Sequence, residues 1–330
     1  MTNNPYQYRI FDCVLESYME LPELVPFQGT IDPGVLRLTF TCKDSPCTPA
    51  SEPNWFHHWY LPNGAVSISC GKINGFYYLR FPGIADFEIS IQDNAIRGFP
   101  ADGVDMFTMR HLLLDQVIPR LLSHQGHLIL HASAVCVNDN VLLFLGESGQ
   151  GKSTLAMALQ QYGCSLLTDD CVKLEITDSQ ITCIPNYIGA RLWPDSMTGL
   201  DLQAAQFKQY DSGKVRLYVP PEKSRECPVI PVKAVFFLGA LNSQDPLCCS
   251  CTPVTGTSKF MEMNKHCFPL DITDQVFTRQ QFENIARVWK MDDILFSHLH
   301  YPRDYRILPT LCATILTTCT EHSVSGNKTS

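Results

Sequence analysis

Residues 146–153, Gly-Glu-Ser-Gly-Gln-Gly-Lys-Ser, fit the pattern G-x-x-x-x-G-K-[ST] at every position. Gly146, Gly149 and Gly151 permit a sharp loop whose backbone N–H groups face inward. Lys152 adds one positive charge, and Ser153 and Thr154 add hydroxyls. An apolar run ends at Gly146, and an apolar stretch at helical spacing starts at Lys152, so the loop sits between a strand and a helix N-terminus with its partial positive charge. This suits a polyphosphate, with Lys152 reaching the β- and γ-phosphates and the Ser153 hydroxyl ligating Mg²⁺. The expected nucleotide contacts are Gly146, Glu147, Ser148, Gly149, Gln150, Gly151, Lys152, Ser153 and Thr154. A glycine-rich turn that binds nothing is the alternative, and the complete pattern in strand–loop–helix context weighs against it.

Seventeen residues after Lys152 comes Asp169, followed directly by Asp170, at the end of the short strand CSLLT. If that strand returns parallel to the one before the loop, both carboxyl ends lie at one edge of the sheet. Ligands of open α/β sheets bind at that edge. One carboxylate could then take a substrate hydroxyl's proton while the other binds Mg²⁺ directly or through water. Neighbours on a strand point to opposite faces, so the two should differ in role. An Asp-Asp turn with a capping function is the structural alternative. His131, in LHASAV before the loop, is either a satisfied core histidine or a third residue facing the site. Arg191 in ARLWPDS and Arg303 in YPRDY are either surface or structural arginines, the reading favoured slightly, or positive clamps on a transferring phosphate. Asp195 is either a further Mg²⁺ ligand or a helix cap.

The elements that must position these residues are legible in outline. Up to about Gly126, short alternating stretches such as GVLRLTF, AVSISCG, FYYLRF and FEISI lie between Gly, Pro, Asn and Asp turns. A helix in MFTMRHLLLDQVIPRLLSHQG, kinked near Pro119 and stopped at Gly126, closes this β-rich region, 1–126. From His127 the texture becomes α/β. LILHASAVCV, VLLFLG, VKLEI, ITCIP and VKAVFFLGAL read as strands, the near-continuous apolar ones suiting a sheet covered on both faces. TRQQFENIARVW and LPTLCATILTTC read as helices. The second domain is expected over 127–320, with a polar, flexible tail at 321–330. WFHHWY (Trp55 to Tyr60) is either core or an exposed aromatic edge for a partner. Cys248, Cys249 and Cys251 lack the spacing of structural zinc pairs and read as a cysteine-rich loop.

The chain has 330 residues and a formal net charge of -8, from 25 Lys+Arg and 33 Asp+Glu. It has no basic run, which argues against nucleic acid as a partner. Its 15 cysteines, scattered and odd in number, read as reduced thiols rather than a disulfide framework. The start lacks a secretory pattern, and no apolar run approaches ~18 residues. The expectation is a cytoplasmic protein with no membrane partner; homo-oligomer formation is left open.

Together, His131 in LHASAV, the loop from Gly146 to Ser153 and LLTDD resemble the kinase domain of the HPr serine kinase/phosphorylase family. RLWPDS, YPR, FPGIADFEIS and LLLDQVIPRLL resemble the shorter HPr-kinase-like proteins, which include kinases of lasso-peptide precursors. The resemblance is specific over about 127–200 and looser to about 320. It implies an α/β fold of the P-loop, phosphoenolpyruvate-carboxykinase-like type, and ATP- and Mg²⁺-dependent phosphorylation of a serine or similar hydroxyl on a protein, peptide or small molecule. It assigns the base to Asp169 and the phosphate-loop roles to Lys152 and Ser153. The sequence departs from true HPr kinases in Thr154, where they carry an acidic residue, in lacking a Glu-Ile-Arg-Gly stretch and in residues 1–126. A nucleotide-binding regulator without phosphotransfer, and a carboxykinase-like enzyme on a small acid, are the alternatives.

Overall fold

Period-2 patterning in the first third of the chain becomes an eight-stranded sheet in the computed structural model, which describes residues 4–28, 30–43, 52–61, 63–202, 207–209, 214–217, 229–241 and 248–326. The strands are β1 (Tyr6–Ile10), β2 (Cys13–Ser17), β3 (Arg37–Cys42), β4 (Asn54–Tyr60), β5 (Val66–Ile73), β6 (Phe76–Phe81), β7 (Ala85–Ser90) and β8 (Ala95–Pro100). Their order is β1-β2-β3-β8-β7-β6-β5-β4. Leu38 and Phe40 on β3, and Phe87 and Ile89 on β7, are buried at alternate positions, as the pleat requires. WFHHWY lies on β4, at the sheet edge, and none of its six residues is fully buried. Most of TCKDSPCTPASEPN lies outside the described residues.

The helical stretch after this sheet consists of α1 (Met106–Leu112), a π-helical segment (Leu113–Val117) and α2 (Ile118–His124). The kink expected near Pro119 takes this form. Pro119 sits in the first turn of α2, where its missing N–H is least needed, and the wide π turn before it makes room for the ring. Gly126, at φ +96°, ends the helix as expected. Met109 of α1 packs over Gly98 of β8, where an added Cβ would stand 3.0 Å from the Met109 methyl and 3.1 Å from the Phe40 ring.

The chain divides into two units, 1–127 with 268–281, and 128–267 with 282–330. The segment 268–281, which the sequence groups with the second domain, clusters with the first. Cys70 donates to the Leu270 carbonyl at 3.0 Å, and the Tyr77 hydroxyl donates to Asp271 at 3.0 Å. These contacts join residues nearly 200 positions apart, and no local pattern announces them.

The second unit contains β9 (Leu128–Leu130), β10 (Ala132–Val137), β11 (Asn140–Leu145), β12 (Ser165–Thr168), β13 (Val172–Ile176), β14 (Ile181–Pro185), β15 (Arg191–Leu192), β16 (Phe207–Gln209), β17 (Val215–Leu217), β18 (Ile230–Ala240), β19 (Ser250–Pro253) and β20 (Leu295–Tyr301). Its helices are α3 (Lys152–Gln160), α4 (Pro194–Gly199), α5 (Thr257–Asn264), the later part of α6 (Gln275–Trp289) and α7 (Leu308–Gly326). The main sheet runs β12-β10-β11-β18-β14-β13-β9, with β20 pairing β18 and β19 pairing β20. β15, β17 and β16 form a separate three-stranded sheet. Residues 321–326, expected in a flexible tail, continue α7; 327–330 lie outside the described residues.

The apolar strands are covered on both faces. Leu142 and Phe144 of β11 with Ala234 and Phe236 of β18 join one core cluster, shared with Leu155, Leu159, Leu311 and Ile315 of α3 and α7. The alternate residues, Val141, Leu143, Leu145, Val235 and Phe237, join the opposite cluster with Met263, Ile285 and Val288 of α5 and α6. This is why these strands read as continuous apolar runs. The fold is mixed α/β with large sheets. Among the described residues no helix is long and apolar enough to cross a membrane.

Candidate active site

LILHASAVCV is two strands rather than one. The chain breaks at His131, so that β9 pairs with β13 while β10 pairs with β11 and β12. β11 and β12 are parallel to each other, as the sequence suggests, but they are not neighbours. β10 lies between them, antiparallel to both. An antiparallel strand begins at the edge where its neighbours end. One edge therefore collects the start of β10 with His131 and Ser133, the end of β11 with the glycine-rich loop, and the end of β12 with Asp169 and Asp170.

The loop has the shape its glycines predict. Gly149 and Gly151 have φ of +81° and +90°, and Gly151 caps α3 from the left-handed region. A Cβ at Gly151 would stand 2.9 Å from the Tyr301 hydroxyl, which donates to the Gln150 carbonyl at 2.9 Å. The first N–H groups of α3 have no helical acceptor and are available to an anion. Lys152 is buried and bonds its own loop, donating to the Gly146 carbonyl at 2.6 Å and that of Glu147 at 3.2 Å. Burial presses its ammonium down to about 8 against the pull of Asp169 and Asp170. Ser148 to Thr154 line a cavity of about 460 Å³, which Asp169, Asp170, His131, Arg191, Asp195 and Arg303 also line. Gly146 and Glu147 do not line it; they serve as the acceptors of Lys152.

Asp169 is almost fully buried and its carboxylate is held by two donors. Ser133 Oγ donates to its Oδ1 at 2.7 Å, and the Arg191 backbone N–H donates to its Oδ2 at 3.0 Å. Burial, then the charge of Asp170, raises its pKa despite these donors. Asp170 is more open and pairs with the Arg191 guanidinium at 3.3 Å. The two carboxylates thus differ in surroundings. The His131 Nδ1 lies 2.9 Å from the Asp170 carbonyl; a carbonyl only accepts, so Nδ1 carries the proton. Burial, then the charge of Lys152, pushes this imidazole down to about 3, so it is neutral.

Asp195, at the start of α4, accepts from the Ser196 N–H at 2.9 Å. Ser196 links the Thr154 hydroxyl of α3, 3.1 Å away, to the Tyr305 hydroxyl, also 3.1 Å away. Arg303 is exposed and donates to the Gly149 carbonyl. Among the described residues no cluster of three or more His, Cys, Asp or Glu side chains is arranged to hold a metal, and Cys248, Cys249 and Cys251 are free thiols. The hard-oxygen pair Asp170 and Ser153, opening on one cavity, still suits Mg²⁺, which keeps waters and takes one or two protein oxygens beside phosphate.

Sequence reasoning missed Ser133, Lys214 and Tyr301. Ser133 stands two residues after His131 on β10, so alternation could have placed it on the same edge. Lys214 reaches the cavity from a distant element and leaves no local signal, whereas Tyr301 stands in YPR, where sequence reasoning singles out only the arginine.

No family model matches the chain, and no curated protein matches it. Among solved structures there is a weak similarity to the HPr(Ser) kinase/phosphatase from Coxiella burnetii, at 15% identity and a TM-score of 0.31, covering 61% of this chain and 98% of that one.

Proposed function

We propose that this chain is an ATP- and Mg²⁺-dependent kinase of the P-loop type that phosphorylates a serine or similar hydroxyl on a protein, peptide or small molecule. The observation that carries the reading is a buried carboxylate of raised pKa, Asp169, fixed by two donors in the same cavity as a complete G-x-x-x-x-G-K-S loop. A base is helped by a fixed position and a raised proton affinity, and the donors on Asp169 and the direction of its shift support that role.

The loop N–H groups and the start of α3 hold the triphosphate. Lys152 exchanges its loop carbonyls for the β- and γ-phosphate oxygens. Asp169 accepts the acceptor's hydroxyl proton as the acceptor oxygen bonds to the γ-phosphorus. The bond to the β–γ bridging oxygen breaks, and ADP carries away that electron pair. Arg191 holds both carboxylates, Asp169 through its backbone N–H and Asp170 through its guanidinium. His131, neutral, steadies the Asp169-Asp170 turn through the Asp170 carbonyl. Arg303 stands at the loop's rim as a further positive charge. Mg²⁺, held by Ser153 and Asp170, would supply charge neutralisation on the phosphates.

The test is the purified full chain with Mg²⁺ and γ-labelled ATP against free serine, serine-ending peptides and HPr, with Lys152→Ala as control. Label on an acceptor, absent in the control, is expected. A wild-type chain that shows no saturable ATP binding overturns the reading.

A further inference from the structure

Four cationic side chains line the cavity: Lys152, Arg191, Lys214 and Arg303. Three are engaged. Lys152 bonds two loop carbonyls, Arg191 pairs with Asp170, and Arg303 bonds the Gly149 carbonyl. Lys214 has no hydrogen-bond or ion-pair partner among the described residues. Its ammonium lies over an aromatic face, 5.2 Å from the centre of the Trp193 ring.

The backbone explains that contact. β15 and β17 pair antiparallel with Leu192 opposite Val215, so the next residues outward, Trp193 and Lys214, face each other across the strand pair. The Lys214 stem can lie along a ring that is itself 48% exposed, while its charge stays in the cavity. Lys214 is only partly exposed. Withdrawing an ammonium from water without an anion is unfavourable, and its pKa is lowered by burial and then by Arg191. An arriving anion would relieve both.

Its position says which anion. Lys214 shares the cavity with Asp169, Asp170 and Lys152, and its charge interacts with all three. Lys152 faces the β- and γ-phosphates and Asp169 the acceptor hydroxyl. A cation that opens on the same cavity as both, without a partner of its own among the described residues, is available to the phosphoryl group that passes between them. We propose that Lys214 is a catalytic residue of this site, its ammonium binding the equatorial oxygens of the phosphoryl group in transit. This rests on the kinase reading. A clamp of this kind strengthens as charge spreads over those oxygens, so it acts on the transition state more than on bound ATP.

The test uses Lys214→Met in the full chain, which keeps the stem against Trp193 and removes the charge. Affinities are measured by competition with a fluorescent ATP analogue for Mg-ADP, Mg-ATP and Mg-ADP plus aluminium fluoride, a mimic of the phosphoryl group in flight. ADP and ATP affinities should stay within about threefold of wild type. The added affinity that aluminium fluoride confers should fall about 100-fold, the scale of losing one transition-state donor. Lys214→Arg should recover part of it, and Lys214→Gln provides a second neutral variant if the methionine variant does not fold. Undiminished fluoride-dependent affinity in the folded neutral variants overturns the inference. So does an equal loss for ATP and for the fluoride complex, which would make Lys214 a ground-state ligand. A wild type that binds no nucleotide brings down the kinase reading itself and is told apart by that.

Discussion

Ser133→Ala is the most discriminating single change on the carboxylate side of the site. Ser133 is fully buried and does not line the cavity, so it touches neither nucleotide nor acceptor. Its hydroxyl proton is shared between two Asp169 oxygens, Oδ1 at 2.7 Å and the main-chain oxygen at 3.0 Å. A hydrogen bond to a charged group contributes about 1.5–3 kcal/mol. If the proposed base depends on that bond for its position, transfer slows by about 10- to 150-fold, at ~1.4 kcal/mol per factor of ten. The Arg191 N–H still holds the carboxylate, so the loss should be smaller than that of removing Asp169. The assay is the initial rate of phosphate transfer at varied ATP. The fall should lie in kcat, with KM for ATP and equilibrium ATP affinity unchanged. A role in folding alone would lower the unfolding midpoint without touching kcat in the folded fraction. A folded Ser133→Ala protein with wild-type kcat would refute the idea that this contact positions the base.

Asp169→Asn should lower transfer by about 10²–10⁴-fold with ATP affinity kept, measured by label transfer beside equilibrium binding. Asp170→Asn should instead move the Mg²⁺ dependence of ATP affinity to higher concentration, by about tenfold or more, read from Mg²⁺ titrations at fixed ATP. Gly98→Val forces a side chain against Met109 and Phe40 and should cost about 1–3 kcal/mol in urea unfolding. His266 is held at about 4 by burial and then by Lys152. Its folded pKa lies below the unfolded one, so the stability linked to it is full above about pH 6.5 and is lost as pH falls toward 4, up to about 3 kcal/mol. His266→Phe should show a smaller drop in urea midpoint between pH 7 and pH 4.5 than the wild type, and an equal drop would contradict this.

The parts of the structure legible in the sequence are those whose cause is local. The apolar runs VLLFLG and VKAVFFLGAL announce two-sided burial because every position meets one helix layer or the other. The glycine loop is readable because Gly149 and Gly151 occupy backbone conformations that side chains rarely adopt. The convergence of Lys152 with Asp169 and Asp170 follows from the direction of two strands, and it survives the insertion of β10 between them. The break at His131 was not readable. LILHASAVCV is uniformly apolar, and only pairing with distant partners tells β9 from β10. Arg191 was readable as a cation but not as the residue whose backbone N–H holds Asp169. Asp195 carries a carboxylate whose bond to the Ser196 N–H depends on the start of α4.

The two tethers of the glycine loop have a consequence for the order in which the chain folds. β11, which leads into the loop, acquires its neighbour β10 through a tight turn, but its parallel partner β18 joins residues about 90 positions away, Val141 to Val232. The latch from Tyr301 to the Gln150 carbonyl spans 151 positions. Both require closure of long stretches of chain before any contact rewards it. The loop's final shape is therefore among the last features to form, well after the hairpin that carries it. Early compact states should have no affinity for nucleotide, and a ligand that binds only the finished loop would pull the folding equilibrium toward completion by mass action.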